Sequence, residues 1–261
     1  MKKKNLYLIL MLLLAALQVQ GEPLHVAILG DSNTWLGGDD CSKPEGWNTW
    51  FKEAFGPASC RSYARSGATW TNTPTTKRNL TENIGVLGND NVVYNQIERL
   101  KQACKEGLQT VPDLIIVAAG TNDAWFADKR PQAFSRSVDE AFSQQDGLLT
   151  GEQPSHELTL ARSVRYGCEL LMEAFPQAQI VLLTPLQSTA APAQLITKVG
   201  DVIEECAHRM ALGVVRMDRE GCVYAARERV KKTFTKDGTH TNEAGARRNG
   251  YLVARKLKMM R

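Results

Sequence analysis

Short apolar runs alternate with longer amphipathic stretches along this chain, and that alternation restricts its fold more than any other feature. The apolar runs predict buried β-strands at 24–29, 60–64, 113–119, 179–184 and 214–217. The stretches between them have the period of helices, at 46–55, 92–105, 158–175, 193–212 and 243–256. Strands that are apolar on both faces are typical of a parallel sheet covered by helices. The pattern therefore predicts one doubly wound α/β domain.

The N-terminus matches a secretory signal peptide. Lysines at 2–4 precede an apolar run over 6–17, and small residues follow at 19 and 21. The run is shorter than the roughly 18–20 residues that span a bilayer. We therefore expect a signal peptide over 1–21, a single domain over 22–261, and an exported protein, periplasmic or secreted, without stable membrane insertion. An uncleaved membrane anchor is the alternative.

Charge and composition exclude several classes of protein. The formal net charge of the 261 residues is +4, and most of it comes from the N-terminal lysines. The rest of the chain is nearly neutral, which argues against a nucleic-acid partner. Hydrophobic residues at 43% and charged residues at 23% exclude a disordered or fibrous protein. No glycine-rich dinucleotide motif or phosphate-binding GK[ST] loop is present.

The six cysteines do not form a metal-binding motif. They lie at 41, 60, 104, 168, 206 and 222. Their spacing lacks the Cys-x-x-Cys and Cys/His patterns of zinc sites, so we predict no metal. Export would permit disulfides. The sequence does not select a pairing, and buried free thiols are the alternative.

Three predicted strands end at a glycine that introduces polar residues. The segments are Gly30-Asp31-Ser32, Ser66-Gly67-Ala68 and Gly120-Thr121-Asn122-Asp123. The carboxyl ends of parallel strands share one edge of the sheet, so these segments should converge there. Two stretches without clear periodicity, 70–91 and 126–157, follow at the same edge. They are expected to be binding loops or ordinary surface loops.

Ser32 is the candidate nucleophile. A serine on a tight turn into a helix lies near unpaired N–H groups that stabilise an oxyanion, although a simple helix cap is the alternative. Such a serine needs a base. Of four histidines, His240 fits best, because it lies in a polar loop and Asp237 precedes it by three residues. The other three lie in a strand, a loop and a helix, where structural roles are expected.

Together these segments resemble a known enzyme family. Gly30-Asp31-Ser32, Gly67, Gly120-x-Asn122-Asp123 and Asp237-x-x-His240 resemble, in order, the four conserved blocks of the SGNH (GDSL-type) hydrolases. The resemblance runs from residue 30 to about 245. Each block is common by chance, whereas four in order at predicted strand ends are specific. Asn33 stands where the family name has leucine, a position not expected to take part in the chemistry.

The resemblance implies a flavodoxin-like three-layer α/β/α sandwich with a central parallel sheet of about five strands. It also implies a serine esterase that needs no metal or organic cofactor. Ser32 would be the nucleophile, His240 the base and later the acid, and Asp237 its orienting partner.

The resemblance also implies an oxyanion hole. It would consist of the backbone N–H groups of Ser32 and Gly67 and the side-chain amide of Asn122. Asp31 and Asp123 are expected to hold the turns rather than to react.

The tryptophans suggest a substrate class. Three of the five each follow a candidate site residue by three positions: Trp35, Trp70 and Trp125. Indoles stack on sugar rings and wall acyl pockets, although core packing is the alternative. With polar loops beside the site, we expect a small-molecule or glycan ester as substrate, and removal of small acyl groups, especially acetyl, from carbohydrate.

Other functions use the same residues. A lipase, lysophospholipase or thioesterase of the same family is one alternative. A non-catalytic glycan-binding module and an acyltransferase are others. The complete Ser32, His240 and Asp237 set argues against the binding module.

Overall fold

The computed structural model describes residues 23–81, 91–143 and 147–260, so the predicted signal peptide lies outside them. Strands β1 to β5 span His25–Gly30, Ser59–Ser62, Leu114–Ala118, Gln179–Leu183 and Gly213–Val215. Helices α1 to α10 span Ser32–Trp35, Trp47–Phe55, Val93–Lys105, Thr121–Trp125, Val138–Ala141, Leu160–Ala174, Ala193–Arg209, Met217–Glu220, Ala225–Val230 and Glu243–Met259. Every predicted strand and helix is present with its ends shifted by a few residues.

The five strands form one parallel sheet in the order β2-β1-β3-β4-β5. This is the flavodoxin-like order, in which the direction of winding reverses beside β1. Ligands of such sheets bind where the order reverses, outside the carboxyl ends of the strands. The end of β1 leads directly to Ser32.

The sheet is buried on both faces because alternate strand residues enter two separate cores. In β1, Ala27 and Leu29 pack in a core with α3, α6 and α7. Val26 and Ile28 pack in a second core with α2 and α10. This arrangement explains the nearly continuous apolar runs and confirms the three-layer sandwich.

The two stretches expected to be irregular contain little regular structure where they are described. Residues 71–81 form turns and extended segments, and 82–90 lie outside the described residues. The second stretch contains α5 and three 3₁₀ turns, at Ala127–Lys129, Pro131–Phe134 and Pro154–His156. Its residues 144–146 are also outside the description.

A search of the described helices for membrane-spanning segments finds none with the necessary length and apolar character.

Candidate active site

Ser32 occupies the first position of α1, immediately beyond the end of β1. Asp31 caps this helix, since its Oδ1 accepts the Asn33 backbone N–H at 3.1 Å. The turn is tight, because a Cβ on Gly30 would lie 2.5 Å from the Ala118 carbonyl oxygen. Glycine is therefore required where the chain leaves the sheet. Ser32 itself is largely enclosed, with 6% of its surface exposed.

Ser32, His240 and Asp237 form one continuous line of hydrogen bonds. His240 Nε2 lies 3.0 Å from Ser32 Oγ, and its Nδ1 lies 2.7 Å from Asp237 Oδ2. With the proton on Nδ1, the ring donates to Asp237 and its Nε2 is free to accept the serine proton. The structure brings together three residues separated by up to 208 positions.

Asp237 also fixes the backbone of the histidine loop. Its Oδ1 accepts the N–H groups of Thr239 at 2.9 Å and of His240 at 2.8 Å. One carboxylate oxygen thus orients the imidazole while the other shapes the turn that carries it. The spacing of three residues is what lets one side chain do both.

Asn33 connects the serine turn to the histidine loop. Its Oδ1 accepts the Thr241 N–H at 3.1 Å, and the Thr241 hydroxyl donates to the Glu45 carbonyl at 2.8 Å. Leucine has no acceptor for this contact. The position expected to be outside the chemistry therefore has a structural role, because it holds the base near the nucleophile.

A buried carboxylate supports the histidine loop from the other side. Glu228 on α9 is 1% exposed and accepts the N–H groups of residues 233, 234 and 235. It also accepts the Thr235 hydroxyl at 2.6 Å, and that hydroxyl in turn accepts the Gly238 N–H at 2.9 Å. A direct chain of contacts thus runs from Glu228 to the residue after Asp237.

The second and third conserved segments are joined to each other. Asn122, on α4, donates from its side-chain amide to the Ala68 carbonyl at 2.9 Å. The Asp123 carboxylate accepts the N–H groups of Trp70 at 3.0 Å and of Thr71 at 2.9 Å. One proton of the Asn122 amide remains for a ligand, as the predicted oxyanion hole requires. Asp123 holds the turn, as the sequence indicated.

Gln96 joins these segments to the serine turn. It is fully buried on α3, accepts the Gly30 N–H at 2.8 Å and donates to the Gly30 carbonyl at 2.9 Å. The Gly30 carbonyl also accepts the Arg65 N–H at 3.1 Å, which ties the chain just before Ser66-Gly67 to the end of β1. Sequence reasoning missed both Gln96 and Glu228, because a lone polar residue in an amphipathic helix carries no local signal of burial.

The three tryptophans do not share one environment. Trp125 is 45% exposed and stacks on Phe126 at a centroid distance of 5.9 Å, and Trp35 is half-buried. Trp70 is 1% exposed and belongs to the core beneath the sheet edge. The prediction that Trp70 lines the mouth of the site is therefore wrong. Residues 67–70 are not helical, so the spacing of three does not turn the Trp70 side chain toward the same face as Gly67.

The pKa values of Asp31 and Asp237 are shifted in opposite directions. Burial raises the pKa of Asp31 from 3.8 to about 6, against hydrogen bonds from the Asn33 N–H and the Thr121 hydroxyl. Burial also raises the pKa of Asp237, but hydrogen bonds from His240 and Thr239 outweigh it and leave that pKa below its usual value. Asp237 therefore stays ionised at neutral pH.

The described residues contain no group of three or more histidine, cysteine, aspartate or glutamate side chains arranged to hold a metal ion.

We expect Asp31→Asn to change how stability depends on pH. A carboxyl whose pKa is raised on folding stabilises the fold below its unfolded pKa of 3.8, and that stabilisation is lost as pH rises through about 6. Asparagine still caps the helix but does not titrate. Relative to wild type, the variant should therefore gain about 2 kcal/mol between pH 4 and pH 7. Urea unfolding at both pH values measures this gain, and a difference independent of pH would contradict it.

Comparisons with known proteins identify the family of this chain. The model of the GDSL-like lipase/acylhydrolase family matches residues 28–248. No protein of curated function matches the sequence significantly.

Solved structures share the fold at low sequence identity. A lipase/acylhydrolase from Enterococcus faecalis is 17% identical with a TM-score of 0.53, covering 90% of this chain and 96% of its own. TesA is 16% identical with a TM-score of 0.55, covering 90% and 99%. The acetyl xylan esterase AlAXEase is 15% identical with a TM-score of 0.52, covering 90% and 98%.

The family model covers most of the chain. This protein therefore belongs to the GDSL-like lipase/acylhydrolase family and is a carboxylic ester hydrolase of the SGNH type.

Proposed function

We propose that this protein is a serine esterase that removes small acyl groups, above all acetyl, from a carbohydrate. The hydrogen-bonded line from Ser32 through His240 to Asp237 is the observation that carries the proposal. A serine hydroxyl is a weak nucleophile until a base accepts its proton. The 3.0 Å contact between Ser32 Oγ and His240 Nε2 supplies that base.

The proposed reaction has two steps. Ser32 Oγ attacks the ester carbonyl carbon while His240 Nε2 takes the hydroxyl proton. The sugar oxygen then takes that proton from His240 and leaves as an alcohol. Water then attacks the acyl-serine with His240 again as base, which releases the carboxylic acid and restores Ser32. Asp237 stabilises the imidazolium in both steps, and its lowered pKa keeps it ionised to do so.

Three donors are proposed to stabilise the oxyanion of each step. Two are the backbone N–H groups of Ser32 and Gly67, and the third is the Asn122 amide. The contact of Asn122 with Ala68 joins the third segment to the second, and that of Arg65 with Gly30 joins the second to the first, so the segments are connected before substrate arrives. Fixed donors of this kind need no reorganisation during the reaction.

A carbohydrate alcohol is supported by the aromatic surface next to Asn122. Trp125 follows Asn122 by one helical turn on α4, and its exposed ring is held by stacking against Phe126. Lys129 lies over the Phe126 ring at 5.7 Å and adds a cation beside this pair. A rigid, exposed indole with polar neighbours suits the apolar face of a sugar ring. Trp35, one turn after Ser32 on α1, is the second proposed contact.

The similar fold of an acetyl xylan esterase shows that such a scaffold can carry this reaction on a polysaccharide. At 15% identity this enzyme is an example of the chemistry, and it assigns no role to any residue of this chain.

We also propose that residues 1–21 are a cleaved signal peptide and that the single domain over 22–261 acts outside the cytoplasm. The proposal rests on the basic start and short apolar run of the sequence. A polymeric substrate is consistent with that location.

The acyl preference and the role of Ser32 are tested together with a series of p-nitrophenyl esters from acetyl to long chains. We expect turnover to fall steeply beyond acetyl, and Ser32→Ala to lower kcat by at least about 10⁴-fold on every ester. Thermal unfolding of the variant confirms that its fold is intact. Best activity on long chains would favour a lipase or thioesterase, and unchanged activity of Ser32→Ala would refute the proposed nucleophile.

The Glu228 contacts predict that Thr235 positions the histidine loop. Thr235→Val removes the hydroxyl between Glu228 and Gly238, so we expect kcat to fall about 10-fold or more while KM changes little. Thr235→Ser keeps the hydroxyl and should restore kcat. If the two variants have equal kcat, the hydroxyl does not act on the loop.

The aromatic surface predicts a loss that depends on the substrate. Trp125→Ala should lower kcat/KM about 3- to 10-fold on acetylated xylo-oligosaccharide and little on p-nitrophenyl acetate. Trp50→Ala is the matched control, because Trp50 packs against Tyr251 on the α2–α10 side. Equal losses of Trp125→Ala on both substrates would show that the indole supports the fold instead.

A further inference from the structure

Cys41 and Cys60 are in contact in the core beside the active site. Their Sγ atoms lie 3.6 Å apart, and the side chains belong to residues only 2% and 7% exposed. Cys41 lies in the loop between α1 and α2, and Cys60 lies on the edge strand β2. Two thiols in van der Waals contact need only a short movement of their side chains to reach bonding distance.

We propose that Cys41 and Cys60 form a disulfide in the mature protein, and that this bond ties the α1–α2 loop to the sheet. Two other cysteines have a backbone carbonyl oxygen, and not a second sulfur, as the partner of the thiol. Cys206 Sγ lies 3.7 Å from the Ala161 carbonyl, and Cys222 Sγ lies 3.5 Å from the Gly245 carbonyl. The Sγ–Sγ contact thus favours one of the pairings that the sequence left open.

The loop that bears Cys41 contacts the loop of His240, so a bond at Cys41 would help to fix the position of the histidine. The Glu45 carbonyl in this loop accepts the Thr241 hydroxyl, and the Glu45 carboxylate pairs with Lys236. The same loop is fixed to the end of β2, where the Asp39 carbonyl accepts the Ser62 N–H at 2.7 Å. Cys41 lies between Asp39 and Glu45 in this loop, so a covalent link at Cys41 would attach the loop to β2 between these two contacts.

The backbone at Cys41 also indicates a fixed loop. Cys41 has φ of +54°, a conformation that residues other than glycine rarely adopt. Such a conformation persists only where the surroundings enforce it. A disulfide to the neighbouring strand would supply that enforcement.

The bond forms by thiol–disulfide exchange. The oxidant is the disulfide of a dithiol oxidase or of oxidised glutathione. Cys41 first loses its proton, which gives the thiolate that starts the exchange. Cys41 attacks the oxidant and releases one thiol. Cys60 then loses its proton, attacks Cys41 Sγ and releases the second thiol, and two electrons pass to the oxidant. Because both sulfurs are buried after folding, the exchange takes place while the chain folds.

Refolding of the purified protein from denaturant in a buffer of reduced and oxidised glutathione tests the proposal. Free thiols are then alkylated, and unreduced peptides are analysed by mass spectrometry. We expect a peptide pair linked through Cys41 and Cys60, with Cys206 and Cys222 alkylated. Alkylation of both Cys41 and Cys60, or linkage of either one to another cysteine, would overturn the proposal.

Thermal unfolding gives an independent measurement. Closing a loop of 19 positions should raise Tm by about 5–10 °C relative to the reduced protein. Cys41→Ser/Cys60→Ser should show no dependence of Tm on reductant, while Cys222→Ser should keep the full shift. If wild type and the double variant respond equally to reductant, this pair forms no stabilising bond. Neither measurement uses ester hydrolysis, so the outcome is independent of the proposed esterase activity.

Discussion

The close approach of Gly30 to β3 is the constraint on which the rest of the site depends. Its backbone leaves no room for a Cβ beside the Ala118 carbonyl, and it bonds to Gln96 and to the backbone of Arg65. The ends of β1 and β2 and helix α3 thus meet at a single residue. The next two residues are the cap and the proposed nucleophile, so their positions follow from packing of the sheet.

Buried polar groups hold the active site together, and nearly every contact joins a side chain to a backbone segment. Gln96 satisfies backbone groups at the end of β1, and Asn33, Asp123 and Glu228 each satisfy N–H groups of a loop. A buried polar group is stable only when it is paired, so each contact also specifies where its loop must lie. The burial of Asp31 is the exception, since it favours the neutral carboxyl and opposes folding at neutral pH.

Features that depend on local patterns could be predicted from the sequence. Features that depend on contacts between distant segments could not. Apolar runs located all five strands, and the spacing of Asp237 and His240 predicted their contact. Trp35 and Trp125 end short helices, so a spacing of three keeps each on the face of its site residue. Trp70 lies in a non-helical segment and enters the core instead. Glu228 and the pairing of Cys41 with Cys60 carry no local signal, because both depend on which loops meet in the folded chain.

Activation of the Ser32 hydroxyl by His240 can be measured by covalent labelling. The protein is treated with a fluorophosphonate, which reacts with serines that a neighbouring base activates, and the modified peptide is identified by mass spectrometry. We expect an adduct on Ser32 that forms much more slowly in His240→Ala, together with loss of ester hydrolysis in proportion to labelling. An adduct on a different serine, or full hydrolysis by protein labelled at Ser32, would contradict it.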